Sequence, residues 1–184
     1  MARNTLSRSL HDIGLSAWFG GTLANAVALN PGAAEAQGDR ATGAVANVGW
    51  DRWTPVNAAA IGAHVVGSLG QIAGNKGRIG GQQGVASMAV AKTALTAAAL
   101  GVTAYSRVLG RKVSDQTAVP AADGTTPTPE TPTEVAKAQQ QLRLLQWAVP
   151  ALTGALVVVS AFAGEQQRAT EVHRGILDRV TPGR

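Results

Sequence analysis

The chain has 184 residues, no cysteine, 22 glycines and only 15% charged residues, against about 25% in an average soluble domain. Lacking cysteine, it has no disulfide framework, no thiolate chemistry and no cysteine-based zinc site. Its net charge of +5 would suggest nucleic acid in a soluble protein, but the basic residues flank apolar segments and no Phe/Tyr stacking platform accompanies them, so anionic headgroups are the expected partner and nucleic acid is not.

The chain opens on MARNTLSRSL, which places Arg3 and Arg8 ahead of an apolar run. A basic start of this kind can mark a secretory signal. The run over 13–29 is long for one and contains Trp18 and Asn25. It is predicted as a first membrane span, stopped by Asn30-Pro31-Gly32. Residues 35–53 then read as a connecting loop with a short interfacial helix around 45–50. In its last part Trp50, Arg52 and Trp53 are expected to anchor at the membrane interface. Thr54-Pro55 opens the second span, with Pro55 in the first turn, where its missing N–H does no harm.

Residues 56–74 contain no Asp, Glu, Lys or Arg, and Lys76 and Arg78 follow as basic anchors. At 100° per residue, Asn57, His64, Ser68, Gln71 and Asn75 fall within a strip about 60° wide. Such a strip must face protein or a wet cavity if the helix lies in hydrocarbon. Ala63, Gly67, Gly70 and Gly74 form a separate small-residue face that lets another backbone approach. The strip reads first as an interhelical hydrogen-bond seam and second as a site centred on His64. The glycine-rich NKGRIGGQQ that follows lacks the order of a phosphate-binding loop and is predicted as a tight turn between antiparallel helices.

The third span is predicted over 84–109, with Lys92, Thr96, Thr103 and Ser106 on one face. Lys92 either snorkels to an interface or, if deeper, meets Asn57, His64, Ser68 or Gln71 across the second–third hairpin, with no intramembrane carboxylate to neutralise it. The Pro/Thr-rich stretch 111–133 is expected to be a flexible linker. A helix capped at Thr133 covers 134–146 and rises into the fourth span, 144–164, which Pro150 could kink. Gln146, Thr153 and Ser160 there recur at a heptad spacing, as a mild polar seam. Residues 165–184 form a charged tail containing His173.

The strings HDIGLSAWFGGTLANAVALN, GWDRWTPVNAAAIGAH, NKGRIGGQQGV, KTALTAAALGVTAYSRVLG, TPTEVAKAQQQLRLLQWAVPALTGALVVVSA and GEQQR together resemble a group of small multi-span membrane proteins from actinobacteria. The resemblance covers nearly the whole chain outside the linker. It implies fold and compartment and assigns no catalytic residue.

The expected fold is therefore all-α: a four-helix transmembrane bundle of two helical hairpins in the plasma membrane, both termini cytoplasmic because the first span has the more basic flank at its start. An Ala-rich soluble bundle is the competing reading. No Ser–His–Asp set, H-E-x-x-H motif or paired intramembrane carboxylate is present. The leading functional expectation is a non-enzymatic scaffold or accessory subunit, packing through its Gly/Ala faces into a homo-oligomer or larger complex in the lipid bilayer, without cofactor or metal. The alternatives are a haem, quinone or proton-handling subunit using His64, and a small-solute channel. A bis-histidine haem needs a second axial ligand at similar depth. His11 sits at a span edge and His173 in the tail, so a dimer pairing two copies of His64 is the version expected.

Overall fold

The computed structural model describes residues 4–82, 84–116 and 118–165. Four long helices dominate: α1 (Thr5–Ala24), α2 (Asp39–Gly74), α3 (Val85–Ser114) and α4 (Thr133–Glu165). The charged tail beyond Glu165 lies outside the described residues. α1 packs along α2 and α3 along α4; α1 also touches α4, whereas α2 and α3 barely meet. Each helix contributes one member of a central apolar layer, Trp18, Ala60, Ala99 and Val149.

The helices run further than their apolar cores predict. The helical run of α1 passes the expected stop: it continues through a π-helical turn (Asn25–Leu29), a turn at Asn30–Gly32 and a 3-10 turn (Ala33–Glu35) before Ala36 becomes extended. Pro31 lies within this run, where its missing N–H leaves out one rung of the ladder. The loop expected over 35–53 is instead the first half of α2. Gly38, at φ +97°, makes the corner before it. Pro55 therefore lies deep inside a helix rather than at its start. The hydroxyl of Thr54 donates to the Trp50 carbonyl (2.8 Å) in the turn before the proline, whose missing N–H leaves the Asp51 carbonyl without its helical donor. The glycine-rich connection after α2 is a short helix, Lys76–Gly81, and Gly84 at φ +81° precedes α3.

The stretch expected as a flexible linker is folded onto the end of the bundle. Its prolines exclude a helix, but side chains replace the missing backbone bonds. Asp123 accepts from the Thr125 N–H (2.7 Å), the Thr126 N–H (2.9 Å) and the Thr126 hydroxyl (2.8 Å). Burial alone would raise the Asp123 carboxyl, but these bonds outweigh it and hold the group below the ordinary carboxylate range. Ala121 and Pro127 form a bridge, the Ala121 N–H donates to Asp39 (3.1 Å) and the Gly124 N–H donates to the Asn30 carbonyl (3.0 Å). Val119 closes a second apolar cluster with Leu109, Val113, Val135 and Ala138.

Beside the apolar clusters the interior also holds many polar side chains, while large apolar ones face outward. His11, Thr22, Asn30, Thr42, His64, Gln139 and Thr153 are buried, while Ile13, Val66, Leu69, Val90, Leu144, Val158 and Phe162 are each more than half exposed. A water-soluble domain does the reverse, and an exposed apolar surface of this extent marks a surface made for hydrocarbon or partners. Three helices, α2, α3 and α4, are long and apolar enough to cross a membrane. α1, which carries Arg8, His11 and Asp12 in its first half, is not among them.

Candidate functional site

His11, Gly14, Leu15, Trp18 and Thr22 are the buried residues of α1; they follow the i, i+3, i+4, i+7 pattern and so form one face. That face lies antiparallel along the small residues of α2. A Cβ on Gly67 would stand 2.6 Å from the Ser7 carbonyl oxygen and 2.8 Å from His11 Cα. On Gly14 it would meet the His64 amide nitrogen at 2.5 Å. Gly70 and Gly74 face Ser7 and Asn4, and the Asn4 side chain donates to the Gly70 carbonyl (3.2 Å). Gly67 thus brings a second backbone close, that of the chain's own first helix, while Gly70 and Gly74 make room for its Ser7 and Asn4 side chains. Ala63 is half-buried beside them.

This close approach places His11 on His64, ring centroids 4.6 Å apart, with Trp18 next at 6.0 Å from His64. Both histidines are essentially fully buried, at 1% and 0% exposure. His11 Nδ1 pairs with the exposed Asp12 carboxylate at 2.7 Å, and His64 Nε2 lies 3.4 Å from the Thr96 hydroxyl of α3. Among the described residues, nothing hydrogen-bonds to the buried His11 Nε2 or His64 Nδ1. Sequence reasoning set His11 aside as a span-edge residue. Its signal was the spacing to Gly14 and Trp18, which puts it on the face that α2 covers.

The rest of the polar strip splits along the helix. Because α2 and α3 scarcely touch, a cleft runs between them and widens into two cavities, both bordered by Leu100. One, about 290 Å³, has Asn57, Thr103, Ser106 and Arg107 in its wall. The other, about 280 Å³, has Ser68, Gln71, Asn75, Arg78, Lys92 and Thr96. Ser68 donates to the His64 carbonyl (2.8 Å) and is thereby spent on its own helix. Lys92 and Gln71 do share a cavity as the deeper reading of Lys92 required, whereas Asn57 borders the other one. Asp12 and Arg8 of α1 are close enough to Lys92 to act on it electrostatically, with Asp12 itself paired to His11.

Several expected interface anchors have inward duties. Trp50 donates its indole N–H to Asn30 Oδ1 (2.9 Å), and Asn30 Nδ2 donates to Gln146 Oε1 (2.7 Å). Asn30 is 2% exposed and ties α1, α2, α4 and the folded loop together. Trp53 packs its ring over Gly21, where a Cβ would collide with it. Arg52 and Lys76 are exposed, while Arg78 donates to Gln82 (3.0 Å) and Asn75 (3.3 Å).

No family model matches the chain, and no curated protein or solved structure matches it. Among the described residues, no group of three or more His, Cys, Asp or Glu side chains converges as a metal site would require. The arrangement offers a buried imidazole pair, a wet-sized cleft on one side of it, and exposed apolar helix faces.

Proposed function

We propose that the chain is a multi-pass protein of the plasma membrane with a scaffold or accessory role, four helices crossing as two hairpins and both termini cytoplasmic. The observation that carries membrane embedding is the exposed apolar surface, Val66, Val90, Val158 and Phe162, over an interior that also buries His11, Asn30, His64, Gln139 and Thr153. On this reading α1 crosses beside α2, its polar first half resting at the interface with Arg8 and Asp12. The association surface is moved from the second helix to the third. The glycine face of α2 is filled by α1, whereas Ala94, Ala97, Ala98, Gly101 and Ala104 of α3 are exposed. A Cβ on Gly101 would meet nothing within 4 Å. Small residues at helical spacing are what tight helix association in lipid uses. Gly101→Leu is expected to reduce the particle mass of the protein purified in mild detergent. An unchanged mass would remove the oligomer.

One observation favours a second reading, proton handling. Asp12, His11, His64 and Thr96 lie in series from an exposed carboxylate to the cavity that holds Lys92, the two imidazoles joined by ring contact rather than by a hydrogen bond. Proteoliposomes in which His64→Ala leaves proton flux unchanged would dismiss it. The haem alternative fits poorly. The two rings are in contact with each other and His64 lies under α1, so ligation by either would require α1 to move away.

A further inference from the structure

The two cavities of the α2–α3 cleft differ in what their walls leave unsatisfied. In the wall of the one that holds Asn57, four residues carry a buried polar atom to which nothing among the described residues is hydrogen-bonded: Trp53 Nε1, Asn57 Oδ1, Thr103 Oγ1 and Arg107 Nε. Among the described residues, no such atom belongs to the wall of the other cavity. The four form two i, i+4 pairs, Trp53 with Asn57 on α2 and Thr103 with Arg107 on α3, and that spacing puts each pair on one helix face. Buried polar atoms are nearly always partnered, so four exceptions around one cavity point to a partner from outside the chain.

The chemistry of the four defines that partner. Trp53 and Arg107 present N–H donors, Asn57 presents an acceptor, and the Thr103 hydroxyl serves as either. They are answered together by a group that both donates and accepts, as a hydroxyl does. An anion is not called for, because the Arg107 charge is already answered by Asp51 at 3.3 Å. Ile61, Leu100, Leu142, Leu145 and Val149 stand in the same wall, so the polar band adjoins an apolar one. Water would satisfy the four atoms but gain nothing from those side chains. A mostly apolar cavity with a few polar groups is the form that small-molecule sites take.

We propose that this cavity binds a neutral lipid with a hydroxylated head, of the monoacylglycerol kind. A head hydroxyl donates to Asn57 Oδ1 and accepts from Arg107 Nε. The ester carbonyl accepts from Trp53 Nε1 and Thr103, and the acyl chain lies against Ile61, Leu100 and Val149. The four polar atoms are covered by their neighbours, so binding includes a turn of these side chains toward the head. The site stands apart from the scaffold and proton readings, since it uses neither the small-residue face of α3 nor the histidines.

The test places the intact chain in phosphatidylcholine discs with 1-decanoylglycerol, decanoate or methyl decanoate in turn, and counts retained molecules by native mass spectrometry. One decanoylglycerol per chain is expected, in preference to the other two. Asn57→Leu should lower that retention about fivefold, the worth of one hydrogen bond. Ala104→Phe, which fills the cavity from an exposed position in its wall, should abolish it. Thr93→Ala, in the wall of the other cavity, should leave it unchanged. Helical circular dichroism checks that each variant is folded. Equal retention of decanoylglycerol and methyl decanoate, or full retention in either Asn57→Leu or Ala104→Phe, would overturn the site. Preferred retention of decanoate would overturn the neutral assignment. Retention of none of the three would assign the four atoms to water and overturn the proposal.

Discussion

Replacing Gly67 by alanine should loosen α1 from α2 although it adds a single methyl group. The new Cβ would sit 2.6 Å from the Ser7 carbonyl oxygen and 2.8 Å from His11 Cα. Both are backbone atoms of a helix, so no side chain can rotate away. Comfortable contact begins near 3.5 Å, and α1 must therefore retreat by roughly 1 Å along this seam. Overpacking of this kind costs about 1–3 kcal/mol, while alanine recovers about 0.5–1 kcal/mol of helix propensity. The net loss should be on the order of 1–2 kcal/mol. Gly62→Ala is the internal control: it lies on the same helix with nothing within 4 Å of the added Cβ, so only the propensity gain applies. Denaturant unfolding in detergent micelles, followed by tryptophan fluorescence, compares the two. Trp18 sits on the same seam and reports its opening. Equal stability of the two variants would refute the close α1–α2 approach.

Two further outcomes concern the folded loop. Asn30→Ala removes the acceptor of Trp50 and the donor to Gln146; the half-buried partners left behind should cost about 0.5–1.5 kcal/mol each, and limited proteolysis should find new cleavage within 115–132. The Asp123 carboxyl is held low by its threonine donors, so its contribution is complete above the ordinary carboxylate pKa of about 3.9 and is lost as pH falls through the lower folded value. Hydrogen exchange at Thr125 and Thr126 should accelerate in that acidic window, and Asp123→Asn should be fast already at neutral pH.

The all-α class and the centres of the long helices were legible because apolar runs of membrane length are a composition signal. The small-residue face of α2 was equally legible, since Gly67, Gly70 and Gly74 fall on one side by the helical repeat alone. Its occupant was not. Gly14 on α1 meets His64 and Ala60, and such a match between two helices exists only in three dimensions. The folded loop was missed for a different reason. Composition reports that Pro127, Pro129 and Pro132 cannot be helical, but not that Asp123 and Thr131 supply the bonds they forgo. The N-terminal half of α2 was missed because Asp51, Arg52 and Pro55 look like interruptions. In the structure the first two are exposed and Thr54 donates beside the third. The His11–His64 pair lay between these cases: the spacing of His11 to Gly14 and Trp18 was visible, and the partner was not.

The central claim is that the exposed apolar faces lie in hydrocarbon. The chain contains no cysteine, so single cysteines can be placed at Val66, Val90 and Val158, exposed by 59%, 68% and 55%, and at Glu130 in the loop. In native membranes, a membrane-impermeant maleimide added to broken vesicles should label the Glu130 site and leave the three valine sites unreacted until detergent is added. Labelling of all three valine sites as fast as Glu130, before detergent, would contradict the account, because sites this exposed can be hidden from an aqueous reagent only by lipid or by another protein.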